Sequence, residues 1–492
     1  MAEKQQAAAA AQAETRELDL LDEIVRDGKV GKDAPARERG KDLIKQFVGQ
    51  FLEGHMTIGR DAEVMINKRI EQIDHLISLQ LNEILHHPDF QKLEGSWRGL
   101  RHLVSQTNSG PMMKIRVMNA TKKDLLRDFE RAPEFDQNAF FKKVYEAEYG
   151  QFGGQPYAAL IGDYEFGKGA EDMDLLNHIA SVASAAHAPF FAAADPNLLN
   201  IEEWTELGNP RDLASVFEST EYARWKSFRQ SEDSRYVGLC LPRTLGRVPY
   251  GRDKPVDEFN YDERVDGRDH NKYLWSNAAY SLGGRLTNSF SMHGMAVAIR
   301  GVEGGGLVEG LPVHNFKTDD GDIAIKCPTE VPITDRREKE LADLGFIPLV
   351  HCKDTDYAAF FSVQSVQKAK KYDSDAANAN ARLSTQLPYI MAVSRFAHYL
   401  KAMMRDKIGG FMSRSDAEIW LNRWIIQYVT PDDNASPTTK ASKPLREAKI
   451  EVVEIPGKPG CYRAVAFLRP HFQLDELTVS LRLVADLPQS QR

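Results

Sequence analysis

The run GDYEFGKG at 162–169 is the closest approach in this sequence to a phosphate-binding loop. It follows the apolar run YAALI and precedes a helical pattern, as a P-loop does. A P-loop also needs a serine or threonine after its lysine to bind Mg²⁺, and here Gly169 follows Lys168. Asp163 and Glu165 would in addition repel a triphosphate. The pattern favours a structural strand–turn–helix and leaves a nucleotide-binding enzyme as a remote alternative.

Acidic and histidine side chains gather in one polar stretch, where they could bind a cation. The members of this cluster are Asp262, Glu263, Asp266, Asp269 and His270. Because no zinc-ligand spacing appears in the sequence, a solvated acidic loop is the favoured interpretation. The run TDDGD at 318–322 resembles a calcium loop, but Cys327 stands where the bidentate glutamate should be.

The remaining patterns do not indicate catalysis. His351 and Cys352 end an apolar run, which favours core packing over a nucleophile. Neither a GxSxG nor an HExxH motif occurs. We therefore predict that the chain has no catalytic residue, no metal site and no cofactor, and is not an enzyme.

Length and composition narrow the class of protein further. The chain has 492 residues, which at roughly 150 per domain predicts about three domains. Its 63 Lys and Arg against 71 Asp and Glu give a net charge of −8, which argues against a dedicated nucleic-acid binder. Its 4 cysteines are too scattered for a disulfide framework. Because no apolar run reaches about 18 residues, we expect a cytoplasmic protein without membrane insertion.

A short amphipathic helix is predicted near the start of the chain. Its apolar residues, spaced for one helix face, are Leu18, Leu20, Leu21, Ile24 and Val25. A helix of about 10 residues is unstable alone in water, and the stretch 28–41 that follows is typical of a linker. The helix either docks on the body of its own chain or is a linear motif that a partner groove captures.

A second amphipathic stretch is predicted at 43–56, and a long helix follows from about 61 to 86. Apolar residues recur along that helix with a spacing close to a heptad repeat. They are Ile66, Ile70, Ile73, Ile77, Leu81 and Ile84. Such a seam needs a partner helix, either within this chain or on another one. A further helix is predicted at 93–106.

From about residue 113 the pattern alternates between strands and helices. Strands are predicted at 113–119, 157–166, 189–195 and 346–352. Helices are predicted at 121–131, 138–150 and 171–187, and 375–429 is mostly helical. This order indicates an α+β fold class with mixed α/β layers.

The C-terminal part of the chain is predicted to be a tether followed by strands. Residues 431–444 are rich in Pro, Ser, Thr and Asn, which is typical of a flexible linker. Two strands at 449–455 and 461–468 are predicted to form a hairpin, and a third strand at 477–487 alternates with period 2. About 48 residues of tethered strand cannot form a stable core alone. They must add to a sheet, either that of their own body or that of a neighbour.

Long segments of the chain resemble one known family, the large subunit of the type VI secretion contractile sheath (TssC/VipB family). The resemblance extends over nearly the whole chain. The segments are LEGSWRGLRHLV at 93–104, QPYAALIGDYEFG at 155–167, DMDLLNHIASVASAAHAPFFAAADP at 172–196, CPTEVPITDRREKELADLGFIPLVH at 327–351, LPYIMAVSRFAHYLKAMMRDKIGGF at 387–411 and FLRPHFQLDELTVSLRLVADLP at 467–488.

The resemblance implies a structural role in a bacterial cell. Such subunits pair with a small sheath subunit (TssB/VipA-like), join neighbouring protomers and a baseplate, and form a helical tube around Hcp-like inner-tube rings. Contraction drives the inner tube out of the cell, and a ClpV-type AAA+ unfoldase then disassembles the sheath. A phage-type tail sheath protein is the related alternative.

The resemblance also implies a division of the chain. Residues 1–60 would be an arm that carries the unfoldase-recognition helix, and 61–112 would pack with the small subunit. The α/β sheath core would occupy 113–430, in two subdomains, before the linker at 431–444. Residues 445–492 would supply strands that pair between protomers. The apolar members of those strands are Ile450, Val452, Val453, Ala464, Val465, Phe467, Leu477, Val479, Leu481 and Leu483.

Overall fold

The computed structural model describes Val25 and residues 34–52, 62–209, 212–251, 254–257, 259–267, 269–318, 320–410, 412–456, 461–471 and 473. The chain divides into two compact units. One unit comprises Met1–Leu81 with Val256–Tyr261, and the other comprises Asn82–Pro255 with Asp262–Arg492. Within the described residues, no helix is long and apolar enough to cross a membrane.

Helices are the main element of the described chain. In chain order they are α1 Ala34–Leu52, α2 Ala62–Leu85, α3 Pro88–Gln106, α4 Lys122–Arg131, α5 Ala139–Phe141, α6 Ala170–Ala186, α7 Leu213–Val216, α8 Ala223–Gln230, α9 Ala278–His293, α10 Asp335–Asp343, α11 Asp375–Leu383, α12 Leu387–Asp406, α13 Arg414–Ile425 and α14 Pro437–Ser442. Helix α5 continues as a π-helix over Lys142–Gly150.

The strands of the described chain are mostly short. They are β1 Leu160–Phe166, β2 Phe190–Ala194, β3 Val237–Leu241, β4 Thr244–Leu245, β5 Trp275–Ser276, β6 Leu307–Val308, β7 His314–Lys317, β8 Ile323–Lys326, β9 Phe346–His351, β10 Ala358–Phe360, β11 Leu445–Glu454 and β12 Tyr462–Pro470. Helices and strands therefore intermix along the chain, and the predicted α+β fold class is confirmed.

A six-stranded sheet forms the centre of the second unit. Its strand order is β1-β2-β3-β9-β10-β6. The first four strands are parallel, and β10 and β6 extend them in antiparallel fashion. Since successive residues of a strand point to opposite faces, Leu239 packs on one side of the sheet and Cys240 on the other. Helix α6 covers the first side and α9 the second, so both faces are buried.

Two glycines of helix α3 allow it to pack closely against strand β5 and helix α9. A Cβ atom at Gly99 would lie 2.3 Å from Cδ2 of Tyr280, and one at Gly95 would lie 2.7 Å from the carbonyl oxygen of Trp275. No larger residue fits at either position without displacing its neighbour. The GSWRG run at 95–99 is thus a helix-packing motif of this fold.

Three local predictions for residues 28–352 were wrong. Residues 113–119 form no ladder, apart from one bridge between Gly110 and Met113, because no neighbouring strand among the described residues pairs with them. The linker predicted at 28–41 overlaps α1, which begins at Ala34, since Pro35 is tolerated in a first turn and the residues after it favour helix. Cys352 lies beyond the end of β9 and is exposed, so it is not a core thiol.

A buried histidine joins α12 to α6. The Nε2 atom of His398 lies 2.8 Å from the carbonyl oxygen of Ala186, and the imidazole ring lies 5.2 Å from that of Tyr149. Burial lowers the pKa of His398 to about 4, and the nearby charges of Arg395, His187 and Lys401 act in the same direction. His398 is therefore neutral in the folded protein at pH values where an unfolded histidine is charged.

This histidine makes the stability of the second unit pH-dependent. Below the ordinary histidine pKa of about 6.5, His398 binds a proton in the unfolded chain, whereas in the folded chain it stays neutral down to about pH 4. The free energy of unfolding therefore falls as the pH is lowered through this interval. We expect His398→Gln to reduce the loss of unfolding free energy between about pH 7 and about pH 5 by about 2 kcal/mol. Urea unfolding followed by tryptophan fluorescence measures it. Equal pH dependence in both proteins would contradict the assignment.

Candidate functional site

The C-terminal hairpin is the structural feature that most resembles an assembly site. Strands β11 and β12 pair antiparallel, with Ile450 opposite Ala466, Val452 opposite Ala464 and Lys449 opposite Phe467. The predicted hairpin is present, with β11 beginning before its predicted start at 449 and β12 ending after its predicted end at 468. Two strands alone are marginally stable in water, so the hairpin needs further support.

The inner face of the hairpin supplies that support by packing on α13. Ile450 and Val452 are 0% exposed and lie in one apolar cluster with Leu421 and Ile425 of that helix. Each fully buried aliphatic side chain contributes about 1.5–3 kcal/mol relative to exposure. The hairpin is therefore docked on its own chain.

Polar side chains of α13 also hold the outer edge of β11. Asn422 accepts from the backbone N–H of Ile450 at 2.9 Å and donates to its carbonyl oxygen at 2.6 Å. The N–H of Val452 donates to Glu418 at 3.1 Å, and Arg414 donates to the carbonyl oxygen of Val452 at 2.6 Å. These bonds show that the backbone groups of both strand residues point away from β12.

The outer edge of β12 lacks such a cover. Because Ala464 and Ala466 stand opposite Val452 and Ile450, their N–H and C=O groups point away from β11, as do those of Leu468 opposite Ala448. Among the described residues no hydrogen-bond partner reaches these groups. Within the described residues, the β12 edge is thus a strand edge with unpaired backbone groups, the kind of edge to which strands add.

The outer face of the hairpin is apolar and partly charged. Val453, Val465 and Phe467 are exposed there, Phe467 to 55%. Ion pairs lie beside them, between Lys449 and Glu451 at 2.6 Å and between Arg469 and Glu447 at 3.7 Å. A face of this kind suits a partner that covers the apolar residues and leaves the ion pairs at the rim.

The segment after β12 is tied to the body. The N–H of His471 donates to the carbonyl oxygen of Pro444 at 3.0 Å, and the N–H of Gln473 donates to the hydroxyl of Tyr389 at 2.9 Å. The described end of the C-terminal segment, at Gln473, is therefore anchored to the body. Leu477, Val479, Leu481 and Leu483 of the third predicted strand lie outside the described residues.

Residues 431–444, predicted as a flexible linker, contain the helix α14. Ser436 caps the helix by accepting from the N–H of Thr439, and Pro437 occupies its first turn. Asp433 forms an ion pair with Arg446 at 2.8 Å, and its carbonyl oxygen accepts from Lys440. The low apolar content did not predict this helix because capping, and not an apolar face, forms it.

Helix α2 presents the predicted apolar seam. Ile66, Ile70, Ile73, Ile77 and Ile84 are all exposed, and Leu81 is half-buried. Of the five residues predicted for the N-terminal helix, Val25 is described and is buried; Leu18, Leu20, Leu21 and Ile24 lie outside the described residues.

A second exposed apolar stripe, which was not predicted from the sequence, lies on α3. Phe90, Leu93, Trp97 and Val104 follow one face of that helix, and Trp97 is 65% exposed. These residues are spaced by three, four and seven positions, a pattern from which one apolar helix face could have been predicted. An exposed tryptophan in an apolar stripe is typical of a protein–protein contact.

The phosphate-loop candidate is occupied by the chain's own carboxylates. Asp172 accepts from the N–H of Gly167 at 2.8 Å, where a phosphate would otherwise bind. The Nζ atom of Lys168 lies 3.2 Å from a carboxylate oxygen of Glu221 and donates to Asn200. The strand–turn–helix of β1 and α6 is thus closed by internal pairing.

The acidic cluster is dispersed among two structural ion-pair networks. Glu263 accepts two hydrogen bonds from Arg247, at 2.6 and 3.0 Å, and Glu330 accepts from Arg243 and lies 2.7 Å from His270. Burial alone would raise the pKa of each glutamate, but the arginine partners hold both pKa values below the ordinary value. Within the described residues no cluster of three metal-ligating side chains forms.

Comparison with known proteins agrees with this arrangement. A VipB family model, described as EvpB/VC_A0108, tail sheath N-terminal domain, matches residues 67–367. A second, VipB_2, described as EvpB/VC_A0108, tail sheath gpW/gp25-like domain, matches residues 376–487. The chain belongs to the VipB tail sheath family. It is a contractile sheath subunit, and its family consists of structural sheath proteins.

A curated relative of this VipB family chain extends over nearly the same length. The type VI secretion system sheath protein TssC1 of Pseudomonas aeruginosa is 48% identical over 93% of this chain and 92% of its own. Two solved structures come from the anti-feeding prophage. The baseplate structure matches 64% of this chain and 66% of its own chain, with a TM-score of 0.35 and 9% sequence identity. The structure of the contracted helical sheath matches 64% of this chain and 75% of its own chain, with a TM-score of 0.26 and 12% sequence identity.

The two faces of the hairpin in this sheath subunit should respond differently to truncation. Ile450→Ala leaves a cavity beside α13 and should lower the free energy of unfolding by about 2–4 kcal/mol. Phe467→Ala removes an exposed side chain and should change it by about 0.5 kcal/mol or less. Urea unfolding of the single chain measures both. Equal losses would show that the outer face is also covered within the chain.

Proposed function

We propose that this chain is the large subunit of a type VI secretion contractile sheath. It assembles with a small sheath subunit into a helical tube around an inner tube and contracts to propel that tube for effector delivery. The single observation that carries this proposal is a hairpin docked on its own body, whose β12 edge has no hydrogen-bond partner among the described residues. The 48% identity to a type VI sheath protein favours this role over a phage tail sheath.

Neighbouring protomers would be joined through that edge. Residues 477–487 alternate apolar and polar side chains, as a half-buried strand does. A strand of this kind from another copy would satisfy the open backbone groups of Ala464, Ala466 and Leu468. Such contacts join different surfaces of successive copies, and when the rotation between copies does not close a ring they generate a helical tube.

The small subunit would cover the exposed apolar residues of the helical segment. The isoleucines of α2 provide one seam, and Trp97 with its neighbours on α3 provides another. Amphipathic helices of a partner fit such stripes by inserting apolar side chains at the same spacing. The inner-tube rings and the baseplate would be further partners of the assembled tube, in the cytoplasm of a bacterium. The chain would act without catalysis of its own.

Tube formation tests this function directly. The chain should be co-expressed with a candidate small sheath subunit and imaged by negative stain. Deleting 477–492 should abolish tubes while circular dichroism and elution volume show a folded body, because only the added strand is lost. Deleting 488–492 alone is the control and should leave tubes intact. Normal tubes from the longer deletion would refute the role of this strand.

The N-terminal motif would be the recognition site for a ClpV-type unfoldase. Val25 is buried in the single chain, so capture of the motif requires that this side chain be uncovered first. Leu18, Leu20, Leu21 and Ile24 would enter a groove on the unfoldase together with it.

Charge placed on the apolar face of the motif should prevent capture. Leu21→Asp with Ile24→Asp should reduce unfoldase binding in a pull-down by tenfold or more, about the effect of 1.4 kcal/mol, while tubes still form. Asp19→Asn with Glu23→Gln alters the polar face and serves as the matched control. Unchanged binding of the first variant would exclude this helix as the recognition site.

A further inference from the structure

We propose that one face of α13 closes the β11 edge of the hairpin, so that an incoming strand can pair only along β12. The face consists of Arg414, Glu418 and Asn422, here called the edge cap. The inference rests on the proposed function, because the incoming strand is residues 477–487 of a neighbouring copy. It adds that the sheath sheet is extended from one side only, and names the residues that impose this.

The edge cap matches the strand in its repeat distance. Residues four apart on a helix are separated by about 6 Å along its axis, and residues two apart on a strand by about 6.7 Å. Asn422 therefore meets Ile450 while Glu418 meets Val452, with the helix running opposite to the strand. Arg414, one turn further back, reaches the carbonyl oxygen of Val452. The three side chains reproduce the bonds that a neighbouring strand would make.

The start of β11 is closed in a different way. The N–H of Thr430 donates to the carbonyl oxygen of Leu445 at 2.9 Å, and Val429 forms a parallel bridge with Leu445. From Leu445 to Val452 the outer edge is thus bonded at three points. The edge of β12 has no comparable bond among the described residues. The β12 edge is therefore more available than the β11 edge for pairing with another strand.

Buried contacts keep the edge cap in place. Leu421 and Ile425 of α13 are buried against Ile450 and Val452, so the helix cannot swing away from β11 without exposing its core. An incoming strand at this edge would have to break four hydrogen bonds before forming its own. An incoming strand at the β12 edge would break none of the described hydrogen bonds. This difference decides on which edge of the hairpin the strand adds.

The sequence pattern of residues 477–487 and the position of the exposed apolar face identify the strand that would pair with β12. The apolar residues of 477–487 share one face, and the outer face of the hairpin already exposes Val465 and Phe467. A strand added beside β12 continues that apolar face, whereas one beside β11 would adjoin α13. The chain's own residues 477–487 are the other possible occupant, and the test below distinguishes them.

The test uses the full chain and a fluorescent peptide of residues 474–492. Asn422→Ala with Glu418→Ala should make the amides of Ile450 and Val452 exchange with solvent about tenfold faster. The double variant should bind one more peptide per chain than the unmodified protein, as counted by fluorescence titration. Gln427→Ala, an exposed amide at the end of the same helical segment, is the control and should change neither value.

The outcomes separate the edge cap from the sheath function. A count of one for the unmodified chain and two for the variant supports an open β12 edge and a closed β11 edge. If the unmodified chain binds no peptide and the variant binds one, the result supports the edge cap and indicates that the chain's own strand fills the β12 edge. Faster exchange without an extra peptide would overturn the proposal, and so would unchanged exchange in the variant. If the double variant does not fold, Asn422→Asp can replace it, because this variant keeps only the hydrogen-bond acceptor. It should give a smaller increase in the exchange rate of the Ile450 amide. No increase at that amide would likewise overturn the proposal.

Discussion

Backbone hydrogen bonding at the edges of a two-stranded sheet is the constraint on which this structure depends. A strand edge exposes N–H and C=O groups that pair with any extended chain that reaches them. In this sheath subunit the β11 edge is bonded to side chains of α13, while the β12 edge is open among the described residues. In the part of the chain that the structure describes, β12 is thus the hairpin edge without a hydrogen-bonded cover, and the hairpin itself is fixed to its body.

The rest of the second unit explains why that place is well positioned. A six-stranded sheet is covered by helices on both faces, and α12 joins it to the hairpin region through His398 and Tyr389. Apolar packing on α13 holds the inner face of the hairpin. A force transmitted through an added strand would therefore act on the folded body and not on a loose tail, as a contracting tube requires.

Residue patterns predicted much of this fold. Two strand-like runs on either side of PGKPG predicted the hairpin, apolar runs predicted β1, β2 and β9, and the heptad spacing predicted the helix α2. Patterns failed where partners decide the outcome: 113–119 has strand-like residues but no neighbour, and α14 forms by capping. The bonds of Asn422 to Ile450 could not be foreseen, because the sequence does not show which helix faces which strand edge.

Amide hydrogen exchange at the β12 edge tests the central claim most directly. The amides of Ala464, Ala466 and Leu468 should exchange rapidly in the free chain and become strongly protected when the chain is assembled into tubes with its small subunit. The amides of Ile450 and Val452, already bonded to α13, should be protected in both states. Equal protection of the β12 amides in the free and assembled chain would contradict the claim that another copy completes this sheet.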